Sequence, residues 1–265
     1  MTTPNVSTTI PDMQELTTAS NFAFSGVSLN ELQASEYTLV TIAVDMSGSM
    51  SGHERNVEQC CNAIIKACRK SPRKNNLLVR LVTFDDTVHE VHGFREIQKI
   101  SDTEYNQKFR AGGGTELYFA VKTAIEASVT YGALLNGQDY QVNGVLYVVT
   151  DGMDNNMSYT ANHVKQAYDA GVKAEVLESI AVILIGVGDS GVSSALAHFQ
   201  QAAGLTQFID LSALVQKTSM EGTLAKMAGF VSKSIESTSR SLQGGNSNAQ
   251  ASMASGGSSV SSLVI

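Results

Sequence analysis

The chain reads as an α/β protein, a doubly wound and mostly parallel sheet with helices on both faces. Three observations predict this. Short β-branched apolar runs bounded by turn residues alternate with longer stretches of helical periodicity. The runs are apolar at nearly every position, as strands covered on both faces require. One pair of runs, 77–84 and 88–94, is separated only by Asp85, Asp86 and Thr87. That gap is too short for a crossover, so this pair forms an antiparallel hairpin.

The elements follow in order. Residues 1–20 are rich in Thr, Asn and Pro and are expected to be poorly ordered. Phe22 to Tyr37 is expected to pack on the domain as an irregular segment, so 1–36 is an N-terminal extension. TLVTIAVD, 38–45, is the first buried strand. Over 54–70, Val57, Cys60, Cys61, Ile64, Ile65 and Cys68 recur at helical spacing and give one apolar stripe. After the 77–94 hairpin come a helix over 116–129, a strand at 144–151, a helix over 159–170 and the very hydrophobic strand 179–188. A helix over 192–203, a short strand at 207–211 and a helix over 220–237 complete one domain spanning 37–237. From Thr238 the composition turns to Ser, Gly, Asn, Gln and Ala with Arg240 as the single charge, which predicts a flexible tail over 238–265.

Composition narrows the function classes. A net charge of -7 lacks the broad basic field that non-specific nucleic-acid binding needs. The basic cluster Lys66, Arg69, Lys70, Arg73 and Lys74 closes a helix, where cations meet the negative end of its dipole. No apolar run approaches the roughly 18–20 residues of a membrane span. The first residues have neither a basic nor an apolar signal-peptide region. The three cysteines share one helix, a poor geometry for a disulfide framework, and a reducing, cytoplasmic compartment is expected. Export as part of an assembled particle is the alternative route.

In an open parallel sheet, ligands bind at the carboxyl ends of the strands, where the strand order reverses. Three polar segments are placed there: Asp45-Met-Ser47-Gly-Ser49 after the first strand, Gly112-Gly-Gly-Thr115 before the second helix, and Thr150-Asp151-Gly152 after the third parallel strand. Asp45, Ser47 and Ser49 alternate along a loop, so their side chains can point to one spot. All are hard oxygen donors, suited to Mg²⁺, Mn²⁺ or Ca²⁺ and not to softer metals. Neutral hydroxyls among the ligands leave the cation's charge available to a carboxylate from elsewhere. The glycines are expected to let the Thr115 backbone come close and to move when a ligand arrives.

This DxSGS loop, the GGGT loop and the TDG strand end resemble the metal-ion-dependent adhesion site of von Willebrand factor A domains. The resemblance extends over 38–236, and all five motif positions are present: Asp45, Ser47, Ser49, Thr115 and Asp151. It implies a six-stranded sheet with one antiparallel edge strand. It also implies Mg²⁺-dependent binding of a protein partner through that partner's Asp or Glu, not catalysis. The AGGGT and TFDD segments resemble the bacterial intracellular branch, similar to tellurite-resistance-associated proteins and chelatase or ATPase partner subunits; phage-encoded versions also exist. Met46 departs from the smaller or charged residue of many members and is expected to alter the rim of the site.

Other signals carry less. Gly186-Val-Gly188-Asp-Ser-Gly191, with Asp210 beyond it, matches a dinucleotide fingerprint on paper, but it lies on the outer half of the sheet and reads as a tight strand-to-helix turn. His89 and His92 fall on opposite faces of a strand and suit no zinc site. Asp85 and Asp86 suit a hairpin tip better than a second cation. Metal-assisted hydrolysis through Asp45 and Asp151 would lack a general base, so a non-enzymatic role is expected. A structural component of a virion or other assembly is the alternative to the binding module.

Overall fold

The computed structural model describes residues 12–101, 104–152, 154–155, 158–187, 190–211 and 220–244. Its strands are β1 (Met13–Thr17), β2 (Ala23–Val27), β3 (Glu36–Asp45), β4 (Leu77–Phe84), β5 (Val88–Glu96), β6 (Gln141–Thr150), β7 (Ser179–Gly186) and β8 (Gln207–Asp210). Its helices are α1 (Glu54–Lys70), α2 (Leu117–Asn136), α3 (Ala161–Lys173), α4 (Ser190–Ala203) and α5 (Met220–Gly244). All strands join one sheet in the order β1-β2-β5-β4-β3-β6-β7-β8. The pairs β3/β4, β3/β6, β6/β7 and β7/β8 are parallel, and β4/β5 is the antiparallel hairpin. The chain runs from β3 outward to β4 and later returns to the other side of β3 as β6, so the strand order reverses beside β3.

The period-two alternation of β3 sends its side chains into two cores. Leu39 and Ala43 join Ala120, Val121 and Ala124 of α2 and Val164 of α3. Val40, Ile42 and Val44 face Val57, Cys60 and Ile64 of α1 and Val231 and Ile235 of α5. Every residue of the predicted apolar stripe of α1 is buried. Each such Val or Ile contributes about 1.5–3 kcal/mol by leaving water. Burial pushes the Cys60 and Cys68 thiols up to about 12 and raises Cys61 well above its ordinary value, so all three stay protonated. The basic end of α1 is occupied as its helix-closing position suggests, with Arg69 donating to the Ile100 carbonyl and Arg73 paired with Glu36. Among the described residues, no helix is long and apolar enough to cross a membrane.

The structure corrects three expectations. Among the described residues the sheet has eight strands, not six, because β1 forms in the stretch expected to be poorly ordered and β2 in the segment expected to be irregular. β2 lies parallel to β5, so the antiparallel strand that was to be the edge is covered. Helices run longer than their periodicity suggested: α2 continues to Asn136 because Tyr131 and Leu135 are fully buried, and α5 extends through Gly244 into the predicted tail. The rest of that tail, 245–265, and the first eleven residues lie outside the described residues.

A charge in the middle of β4 explains why the N-terminal strands dock. Arg80 is 1% exposed, and its guanidinium lies within 6 Å of the Phe22, Phe24 and Phe94 ring centroids. Its Nε donates to Glu90 at 2.7 Å. The other Glu90 oxygen accepts the Ser25 amide at 2.8 Å and the Ser25 hydroxyl at 2.6 Å. Tyr131 adds a hydrogen bond of 2.7 Å to the Val27 carbonyl. Burial lowers the Arg80 pKa from its ordinary value and the Glu90 carboxylate opposes that.

Nearby, His92 holds Tyr105. Its Nδ1–H donates to the Gly93 carbonyl at 2.9 Å, which leaves Nε2 to accept the Tyr105 hydroxyl at 2.7 Å. Burial, with the charges of Arg95 and Arg80, lowers the His92 pKa from 6.5 to about 3. Between those values the unfolded chain binds the proton that the folded chain refuses, so stability falls as pH drops below about 6.5. The upper limit is about 1.4 kcal/mol per pH unit, and a ring that keeps some solvent contact gives less. From pH 6.5 to 4.5, wild type is expected to lose about 1–2 kcal/mol more than His92→Gln in urea unfolding. Parallel pH profiles for the two proteins would refute it.

Candidate metal centre

β3 and β6 end side by side, which brings Asp45 and Asp151 to the same edge of the sheet next to the point of reversal. After Asp45 the chain turns sharply. The Met46 amide bonds the Phe84 carbonyl at 2.7 Å, and the Ser47 amide bonds Asp45 Oδ1 at 2.8 Å. The second Asp45 oxygen accepts the Thr150 hydroxyl. Ser47 Oγ lies 3.1 Å from Ser49 Oγ, and Ser49 Oγ donates to Asp151 Oδ1 at 2.8 Å. Four of the five predicted residues therefore form one hydrogen-bonded chain.

Thr115 arrives on the loop between β5 and α2. That loop is stapled to the first by Gly112 N to Met46 O, 2.8 Å, and by Gly48 N to Gly113 O, 3.0 Å. Gly113 sits at φ +76°, in the left-handed region open to glycine at no steric cost. Asp45, Ser47, Thr115 and Asp151 are 0, 1, 4 and 7% exposed, while Ser49 is exposed, so the cluster opens outward at Ser49. Buried polar groups this dense are costly without a partner.

Burial pushes the Asp45 carboxyl up to about 6, the Asp151 charge adds to this, and the bonds from Ser47 and Thr150 oppose it. Burial also raises Asp151, with the Ser49 hydroxyl and His53 working the other way. A cation between the two carboxylates would offset both penalties. The donor set fits a hard one, being two carboxylates and three hydroxyls without nitrogen or sulfur. No group of three or more His, Cys, Asp or Glu residues placed to hold a metal exists among the described residues, so hydroxyls have to complete any shell here.

Several neighbours were not identified from the sequence as parts of this centre. Thr150 fixes Asp45. Asp86, read as a turn residue, accepts the Gly114 amide at 2.8 Å, and Asn155 accepts the Thr115 amide at 2.8 Å. Asp154 accepts the Tyr118 amide at 2.7 Å and so caps the first turn of α2. Each lies near a strand end, but nothing in its local spacing says which backbone amide it reaches. Met46 is a correction: it is 5% exposed and packs with the core that contains Met50 and Val57, so it does not shape the rim.

The demoted signals stay outside the centre. His89 is exposed and bonded to Thr87, whereas His92 is half-buried and bonded to Tyr105. Of the glycine-rich turn after β7, residues 188 and 189 lie outside the described residues; an added Cβ at Gly186 would lie 3.0 Å from Phe208 and 3.1 Å from Leu196, so strand–helix packing accounts for that glycine.

Residues 40–153 match the family described as von Willebrand factor type A domain. No curated protein matches the chain by sequence. Solved structures of similar fold include a mutant of the PilB minor pilin from Streptococcus sanguinis, with 14% identity over 85% of this chain and 67% of that one and a TM-score of 0.55. Another is the pilus adhesin SpaC from Lactobacillus rhamnosus GG in an open conformation, with 14% identity over 84% of this chain and 32% of that one and a TM-score of 0.51. The chain thus spans about two thirds of the pilin and one third of the adhesin, and at this identity the likeness is one of fold. The matched stretch runs from β3 through the loop after β6 and holds all five candidate ligands, so the similarity to the von Willebrand factor type A domain covers the whole candidate centre.

Proposed function

We propose that the protein is a divalent-cation-dependent protein-binding module. The observation that carries this reading is the hydrogen-bonded chain from Asp45 through Ser47 and Ser49 to Asp151, with the Thr115 loop stapled against it. Asp45, Ser47, Ser49, Thr115 and Asp151 would hold the ion, with Mg²⁺ as the first choice and Mn²⁺ or Ca²⁺ as alternatives. When bound, the ion supplies a positive Lewis-acidic position for an Asp or Glu carboxylate of a partner. The chain's own residues do the rest. Thr150 and the Ser47 amide orient Asp45, Ser49 ties the two loops, and the neutral hydroxyls leave the site short of negative charge, so an incoming carboxylate is not repelled.

With Asp45 and Asp151 both committed to the ion, this reading favours binding over catalysis. The charge of -7 argues against nucleic acid as the partner. Three buried cysteines outside any disulfide support a reducing compartment, and the AGGGT and TFDD segments support the bacterial intracellular branch of the family.

The test is Asp151→Ala. This change removes one carboxylate ligand and one hydrogen bond, the latter worth about 1 kcal/mol, so the fold is expected to survive. Calorimetric titration with Mg²⁺ and Mn²⁺ should show binding to wild type and none to the variant. In retention assays from native lysate, a partner should be held only by wild type in Mg²⁺. A partner held equally in Mg²⁺, in EDTA and by Asp151→Ala would overturn the reading and favour a structural role.

A further inference from the structure

The loop that delivers Thr115 contains three consecutive glycines, and such a segment loses more conformational freedom on ordering than any other. It is nevertheless clamped at every residue. Gly112 N bonds Met46 O, Gly113 O accepts from Gly48 N, and Glu116 N bonds Asp85 O at 2.9 Å. Two further amides are taken by side chains: Gly114 N by Asp86 and Thr115 N by Asn155, each at 2.8 Å. Asn155 closes the pair with its own amide, which donates to the Thr115 carbonyl at 3.1 Å. Asp86 reaches in from the β4–β5 turn and Asn155 from the loop after β6, so the backbone of Thr115 is held from two sides.

The glycines make these clamps possible. An added Cβ at Gly114 would overlap Asp86 Oδ1 and lie 3.1 Å from Asn155 Oδ1, and one at Gly113 would lie 2.7 Å from Asp86 Oδ2. Their role here is to admit two side-chain acceptors against the backbone, in contrast to the mobility expected from composition.

We propose that Asp86 and Asn155 are positioning residues of the metal site, which preorganise Thr115 by capturing the amides of Gly114 and Thr115. The proposal rests on the cation-binding reading above. Residues that orient metal ligands typically change affinity by 10–100-fold when removed. The energetic reason is that an unclamped Gly-Gly-Gly-Thr loop must be ordered at the moment of binding.

The experiment is a calorimetric titration of the full chain with Mn²⁺ for wild type, Asn155→Ala, Asp86→Ala and Asp86→Asn. Metal-free melts and amide hydrogen exchange at Gly114 and Thr115 accompany it. The two alanine variants are expected to lose about 10–100-fold in Mn²⁺ affinity. Each should speed exchange at the amide it releases, with the metal-free melting temperature little changed. Asp86→Asn keeps the acceptor while removing the charge, and it is expected to restore affinity to within about threefold of wild type.

Alanine variants that bind Mn²⁺ as tightly as wild type would overturn the proposal while leaving the cation reading standing. So would an Asp86→Asn variant as weak as Asp86→Ala, because the charge and not the clamp would then matter. Wild type without Mn²⁺ affinity would overturn the cation reading and this inference with it. Should an alanine variant not fold, Asp86→Asn and the exchange rate at Gly114 still decide the case.

Discussion

Glu90→Ala is expected to cost the fold about 3–5 kcal/mol, the size found when one partner of a buried ion pair is removed. Arg80 is 1% exposed, and Glu90 is the anion paired with it. Without that carboxylate the guanidinium keeps only the faces of Phe22, Phe24 and Phe94, and cation–π contacts contribute on the order of 0.5–2 kcal/mol each. Ser25 simultaneously loses the acceptor for both its amide and its hydroxyl. Urea unfolding measures the loss directly. The double variant Arg80→Met/Glu90→Leu should regain most of it, because well-packed apolar groups often replace a buried pair at no net cost. A Glu90→Ala protein within 1 kcal/mol of wild type would mean that the aromatic cage alone stabilises Arg80.

Gly93→Ala is expected to cost about 3 kcal/mol or more, at the upper end of overpacking effects. An added Cβ would overlap the carbonyl oxygen and hydroxyl of Ser25. The obstacle includes backbone of β2, so no rotamer change relieves it, and β2 has to separate from β5. The two substitutions disturb the same junction by different physics, one by charge and one by distance. Both should make the N-terminal segment the first site of limited proteolysis, since β1 and β2 are the elements released. Unchanged proteolysis and an unchanged unfolding midpoint for Gly93→Ala would show that the strands can part here without consequence.

These two effects lie where reading along the chain was weakest. β3, β6 and β7 were legible because each is a short apolar run with a face toward each core, and α1 because its six apolar positions fall on one helical face. The candidate ligands were legible for a related reason: a polar residue that ends a buried strand marks the edge of the sheet, and Asp45 and Asp151 lie at or beside such ends, while Thr115 follows a run of glycines just ahead of a helix. β1 and β2 were not legible, because what makes them strands is not an apolar pattern of their own. It is a buried arginine more than fifty residues away that needs Phe22 and Phe24, and a glutamate on β5 that supplies the acceptor for Ser25. The glycine loop was read as mobile because composition reports freedom of the isolated chain. Asp86 and Asn155 remove that freedom from distant positions.

The sequence by itself determined the strand–helix alternation, the hairpin at 85–87 and the set of oxygen donors, since periodicity, gap length and residue chemistry are local properties. Only the tertiary structure decided that the sheet grows to eight strands, that Met46 turns into the core, and that the Thr115 loop is hydrogen-bonded by Asp86 and Asn155. Each of those depends on a hydrogen bond, an ion pair or a packing contact between residues far apart in the chain, and such contacts exist only once the fold has closed.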